Sequence, residues 1–167
     1  METGELRNRL CYWYSAKKSE EFITMRILYA ASEARPFAAS GGLADVAGSL
    51  PKALCAAGEE ACVVMPYYVN SFKPEQKEKM NYITNFTVPV GWRSQYCGLF
   101  SQQVDGVTYF FIDNEFYFKR DNGLYGYYDD AERYVFFSRA VLEMLKYIQF
   151  KPQVINCLLY TSPSPRD

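Results

Sequence analysis

From Met25 onward the period of the apolar positions changes several times, and each change predicts an element. Met25–Ala31 (MRILYAA) is a short, nearly continuous apolar run of the kind that fills a buried strand. Leu43, Val46, Ala47, Leu50 and Leu54 fall at i, i+3, i+4, i+7 and i+11, one stripe of an amphipathic helix. Pro51 lies inside that stripe and predicts a kink or break, and Gly58 predicts the helix end. A second apolar run, Ala61–Met65, closes at Pro66. Strand, helix, strand in so short a span predicts a right-handed, parallel βαβ unit.

The rhythm then alters. Tyr67–Met80 is polar and lysine-rich and reads as a surface excursion. Tyr82–Val90, Gln95–Val104 and Val107–Ile112 are aromatic and β-branched runs, and Asp105-Gly106 between the last two is a hairpin signal. Asp113–Asp129 is a polar, tyrosine-rich loop. Asp130–Tyr147 reads as a helix with Val135, Leu142 and Leu145 on one face, Asp129 or Asp130 as its cap and Glu132 in its first turn. Gln153–Asn156, after Pro152, reads as the next core strand. Together these predict an α/β fold: a mostly parallel sheet with helices on both faces and an antiparallel hairpin insertion.

Composition narrows the chemistry. The chain has 167 residues, 49% hydrophobic and 17% aromatic, enough for one globular domain. A net charge of -1 gives no footprint for nucleic acid or an anionic membrane. There is no histidine, which excludes a Ser-His-Asp triad, a Cys-His pair, histidine-containing zinc sites and a histidine general base within this chain. The five cysteines, Cys11, Cys55, Cys62, Cys97 and Cys157, contain no C-x-x-C pair and read as free thiols of a reducing cytoplasm. Residues 1–24 carry mixed charge and no apolar run long enough for a signal peptide or a membrane helix. They are expected to be a disordered leader, with Met25 the expected start. Leu158–Asp167 (LLYTSPSPRD) breaks the α/β rhythm and is expected to be a tail foreign to the domain.

Two segments carry candidate chemistry. Pro36–Asp45 (PFAASGGLAD) follows a strand and opens a helix, and two glycines there let backbone N–H groups approach a phosphate or a sugar hydroxyl. The spacing is neither G-x-G-x-x-G nor a Walker A loop, and the same residues also fit a tight turn capped by Ser40. Asp113 and Asn114 end a strand where ligands of α/β folds gather. Tyr117, Tyr125, Tyr127 and Tyr128 follow, mixed with Arg120, Asp121 and Asn122. Aromatic faces beside hydroxyl-binding groups suit a carbohydrate, and the same loop also fits tyrosines packed on the core. Asp129 and Asp130 fit either a carboxylate pair or helix caps.

Several stretches in register carry a resemblance: MRILYAASEARPF, SGGLADVAGSLPKAL, YFFIDNEFYFKRDNGLYGYYDDAERYVFFSRAVLE and KPQVINC. From Met25 to Cys157 the chain resembles the N-terminal part of bacterial glycogen synthases and plant starch synthases (glycosyltransferase family 5). The resemblance implies a Rossmann-like N-terminal half of a GT-B glycosyltransferase, in which two such domains face across a cleft. It implies retaining transfer of glucose from ADP-glucose to the non-reducing end of an α-1,4-glucan, without a cofactor or an essential metal. It also implies a missing C-terminal domain as partner, so that this chain is inactive alone. By the same resemblance Ala39, Ser40, Gly41, Gly42 and Asp45 correspond to the ADP-glucose loop, with Ala39 where the family usually has lysine. Asp113, Asn114, Arg120, Asp129 and Arg133 correspond to polar positions of the glucan cleft. The family strand matching Val154–Cys157 continues into a histidine-bearing stretch, and here Leu158 follows instead, so no catalytic residue is assigned. The alternative class is a stand-alone module that binds a nucleotide-sugar or a glucan without catalysis.

Overall fold

The computed structural model describes residues 24–158, so all of the expected leader but Thr24, and all of the expected tail but Leu158, lie outside the described residues. The elements are β1 (Arg26–Ala31), α1 (Gly42–Ala56), β2 (Glu60–Pro66), α2 (Pro74–Glu78), β3 (Asn81–Val90), β4 (Arg93–Val104), β5 (Val107–Asp113), α3 (Glu115–Phe118), α4 (Asp130–Met144) and β6 (Val154–Leu158). Six strands form one sheet in the order β3-β4-β5-β2-β1-β6. β1 pairs in parallel with β2 and β6, and β2 with β5. β3, β4 and β5 form an antiparallel meander, so the sheet is mostly parallel with a hairpin arm.

This order places the helices. The chain crosses from β1 to β2 in one direction along the sheet and from β5 to β6 in the other. Right-handed crossovers therefore put α1 and α4 on opposite faces. The reversal occurs beside β1, and the loop after β1 opens at the carboxyl ends of the parallel strands, where open α/β sheets receive ligands. Leu28, Val63, Val64, Met65, Phe111 and Ile112 are fully buried between the layers. Burial of such a side chain is worth about 1.5–3 kcal/mol.

α1 and α4 each bury only part of the predicted stripe: Ala47 is buried, and Leu54 and Leu145 pack against the core. α1 turns Ala44, Ala47, Gly48 and Pro51 inward, leaving Val46 and Leu50 exposed. Close approach decides this: a Cβ on Gly48 would stand 2.9 Å from the Arg35 carbonyl oxygen, so only small residues fit between the helix and the loop after β1. α1 also runs through Pro51 without a break, because its packing on β1 and β2 outweighs the lost backbone bond. α4 buries Arg133, Phe136, Phe137, Ala140, Val141 and Met144 and exposes Val135 and Leu142, since its largest aromatics set its orientation. The segment after β2 is no simple surface excursion: Tyr68 and Phe72 are buried, and Phe72 stacks on Phe37 at 5.0 Å. Asp105 (φ 51°) and Gly106 (φ 82°) both adopt left-handed backbone, the conformation of a two-residue type I′ hairpin turn.

The β4–β5 register has one further consequence. Gly98 pairs with Asp113, the last residue of β5. Residues 93–97 of β4, with 86–90 of β3, therefore overhang the carboxyl edge of the sheet by about 17 Å.

Candidate functional site

Two loops meet at the carboxyl edge. The first, between β1 and α1, is pinned from several sides. The Arg35 N–H donates to the Ala44 carbonyl (3.1 Å), and the Tyr109 hydroxyl donates to the Arg35 carbonyl (3.2 Å). Gln76 Nε2 donates to the Pro36 carbonyl (3.0 Å). Glu33, which is buried, accepts the Ser40 N–H on Oε2. The turn after β1 thus delivers the chain to the start of α1 in one shape.

The glycines at that start are not demanded by the fold. Gly41 is extended backbone (φ −163°) at the N-cap, with no side-chain cap bond. A Cβ added at Gly41 or Gly42 would meet nothing within 4 Å. The space in front of both is open, and the first-turn N–H groups of a helix have no intrahelical acceptors. The Ala44 N–H donates to the Gly41 carbonyl (3.3 Å), and the amides before it, at the positive end of a 15-residue helix, have the geometry that suits an anion.

Beside the helix start lies a cleft of about 430 Å³, lined by residues 35–40, Ser71, Gly123 and Leu124. Arg35 is the one charged residue of that lining. Its Nε bonds Asp45 Oδ1, and both side chains are largely exposed. Of the predicted loop residues, Ala39 and Ser40 line the cleft, Gly41 and Gly42 stand at the helix start, and Asp45 orients Arg35.

The second loop, residues 114–129, is held by its own polar groups. Asn114 caps α3, accepting the Tyr117 N–H (3.0 Å), while its Nδ2 donates to the Tyr96 carbonyl (2.7 Å). Arg120 Nη2 pairs with Asp129 Oδ2 at 2.6 Å, while Asp129 Oδ1 is buried without a hydrogen-bond partner among the described residues. Asp130 turns back to accept the Gly126 and Tyr127 N–H groups, so neither aspartate caps α4 through its side chain. Arg133 is fully buried: Nε donates to the Tyr117 carbonyl (2.8 Å), Nη2 to the Leu124 carbonyl (3.3 Å) and Nη1 to Asp130. The Tyr127 ring centroid lies 5.3 Å from the Arg120 guanidinium carbon and 4.9 Å from that of Arg133. The structure therefore places Arg133 and Asn114 inside the loop's framework rather than on an open surface. Asp113 is half-buried, and burial first, then Glu115, pushes its carboxyl above the usual range, with Lys119 opposing.

Sequence reasoning missed the joint between these loops. The Tyr125 and Ser32 hydroxyls share a 2.7 Å bond, and the Tyr68 hydroxyl donates to the Ser32 carbonyl (2.8 Å) and lies 3.0 Å from the Tyr134 hydroxyl. Burial pushes the Tyr134 hydroxyl up to about 12, so the network stays protonated. The sequence signal was the density of tyrosine, but its partners lie far apart in the chain. Among the described residues no group of His, Cys, Asp and Glu could hold a metal ion, and no helix is long and apolar enough to cross a membrane.

Comparison with known proteins bears on this edge. The family described as the starch synthase catalytic domain matches residues 26–158. Glycogen synthases of Geobacillus thermodenitrificans and Clostridium botulinum are 57% and 54% identical to the chain over 133 residues, covering 80% of it and 27% of each relative. The catalytic domain of starch synthase IV from Arabidopsis thaliana, solved bound to ADP and acarbose, superposes with a TM-score of 0.70 at 28% identity. That match covers 80% of the chain and 28% of the solved one. The chain thus spans about a quarter of the length of these relatives.

Proposed function

The chain belongs to the starch synthase catalytic domain family, and from that premise we propose that it serves ADP-glucose-dependent glucosyl transfer to an α-1,4-glucan, with retention of configuration. In this reading the first loop meets the donor and the second borders the glucan. The observation that carries it is the pair Gly41-Gly42, which neither backbone conformation nor packing requires to be glycine. Open space before helix N–H groups is what a diphosphate needs, and Arg35 adds a cation at the cleft mouth where Ala39 offers none. Transfer expels ADP from an oxocarbenium-like transition state, and preorganised donors stabilise the departing charge. Ser40, Gly41 and Gly42 contact the donor; Asp45 acts through Arg35. Asp113, Arg120 and Asp129 border the acceptor, with Asn114 and Arg133 holding their loop. The partners are ADP-glucose, a glucan and the remainder of a longer enzyme, since the relatives are almost four times as long as the matched segment. A cytoplasmic site fits the free thiols of Cys55, Cys62, Cys97 and Cys157.

The test is a titration of the 15N-labelled chain with ADP-glucose. The expected result is amide shifts concentrated in Ser40–Asp45, abolished by Gly42→Ala while the melting temperature holds or rises, since alanine is favoured in a helix. Unchanged spectra at millimolar ADP-glucose, or shifts confined elsewhere, would overturn the reading. The chain by itself is expected to incorporate no glucose into glycogen, and incorporation above an enzyme-free control refutes that.

A further inference from the structure

The cleft has two walls, and a hydrogen bond outside its lining ties them together. Residues 35–40 of the first loop form one wall, and Gly123 and Leu124 of the second loop belong to the other. Tyr125 follows Leu124 in the chain, and its hydroxyl shares a 2.7 Å bond with the hydroxyl of Ser32, at the end of β1. Both ends of this bond are anchored. Ser32 is fully buried, donates its N–H to the Leu158 carbonyl of β6 (3.1 Å) and accepts the Tyr68 hydroxyl on its carbonyl (2.8 Å). The Tyr125 ring packs 5.9 Å from that of Tyr134, a buried residue of α4. Burial pushes the Tyr125 hydroxyl far above the ordinary phenol range, so it stays protonated beside Ser32 at neutral pH. The Tyr127 hydroxyl, by contrast, bonds within the second loop, to the Asn122 N–H and the Gly123 carbonyl. What Ser32 fixes is passed on by the next residue: Glu33, also buried, accepts the Ser40 N–H, and Ser40 leads directly into Gly41-Gly42. A bond held at both ends by a strand and a helix acts as a strut, because neither end can yield without moving an element of the fold.

We propose that Tyr125 is a positioning residue for the donor loop: its bond to Ser32 sets the spacing of the two cleft walls and, through Glu33 and Ser40, the aim of the Gly41-Gly42 amides. This rests on the reading of Ser40–Gly42 as the donor contact and deepens it. Tyr125 touches no donor atom in this role. Removing its hydroxyl leaves every donor amide in place and frees the walls to separate.

Amide spectra of the 15N-labelled chain test this in two steps. In the free chain, Tyr125→Phe and Ser32→Ala are each expected to move the Ser40, Gly41 and Gly42 resonances. Phe86→Leu, which disturbs the stack on Tyr147 beside the β3 edge, is the control: it is expected to lower the melting temperature and leave those resonances in place. With ADP-glucose, Tyr125→Phe and Ser32→Ala are each expected to bind about three- to tenfold more weakly than the parent, the worth of one hydrogen bond. The double variant is expected to bind no more weakly than either single one, since both remove the same bond. Resonances unmoved by both substitutions, or moved equally by Phe86→Leu, overturn the strut. So do affinities equal to the parent's, or losses that add in the double variant. Moved resonances in a chain whose parent does not respond to ADP-glucose remove the donor reading and support the strut.

Discussion

Arg133 is the sharpest test of how the second loop is built, because one substitution distinguishes a framework residue from a ligand contact. Its guanidinium is fully buried and donates to the carbonyls of Tyr117 and Leu124 and to Asp130. Arg133→Met keeps much of the volume and removes every donor. Two carbonyls then lose their main partner, at about 1–3 kcal/mol each when a buried acceptor is stranded. The loss is softened: Tyr117 O still receives Arg120 Nε at 3.3 Å and Leu124 O the Tyr134 hydroxyl at 3.4 Å, both long bonds. Asp130 keeps the Gly126 and Tyr127 N–H groups, so its carboxylate is not left bare. The expected cost is therefore about 3 kcal/mol, the low end of the range for breaking a buried ion pair. Urea unfolding followed by far-UV circular dichroism measures it, with an unchanged m-value and a melting point roughly 10 °C lower. Arg133→Lys does not rescue, because an ammonium cannot serve two carbonyls and a carboxylate in one plane. A stability loss below about 1 kcal/mol refutes the framework role.

Gly48→Ala drives a Cβ to 2.9 Å from the Arg35 carbonyl oxygen, a backbone atom, and is expected to cost about 1–3 kcal/mol in urea titrations. Burial and Glu115 raise the Asp113 carboxyl above its unfolded value, so its contribution to stability falls as pH rises from the ordinary carboxylate range through that raised value. Asp113→Asn is accordingly expected to stabilise the chain at neutral pH and to lose that gain at about pH 3, read from melting curves across pH. In a Cys11→Ser background, Ellman's reagent is expected to modify exposed Cys157 first. Cys62, whose thiol burial pushes up to about 12, and fully buried Cys97 react only as the chain unfolds.

What the sequence could convey followed from locality. Strand runs and the Asp105-Gly106 turn are set by neighbours in the chain, and β3, β4 and β5 stand where the aromatic and β-branched runs put them. The helix faces escaped because they depend on what lies across the interface. Leu43, Val46 and Leu50 outrank Ala44 and Gly48 in hydrophobicity, yet the sheet and the Arg35 backbone admit only the small face of α1. Arg133 shows the same limit. The resemblance sets it among polar positions of the glucan cleft, and only the fold shows its carbonyl partners at positions 117 and 124.

The two loops divide their labour by the kind of group each leaves available. Around the second loop, Asn114, Arg120, Asp129, Asp130 and Arg133 all bond to the protein itself, Asp129 through Oδ2 alone, and these bonds hold the loop in one shape. In the first loop the position is reversed: Glu33 is spent on Ser40 and Arg35 pairs with Asp45, while the open groups are main-chain amides at Gly41-Gly42. Backbone amides carry no side chain to delete, so recognition built on them is insensitive to most substitutions and acutely sensitive to any added Cβ. That is why two glycines with no structural duty are the informative residues of this edge. It is also why the lysine expected at position 39 can be absent without emptying the site of donors: the helix terminus supplies them whatever stands at Ala39.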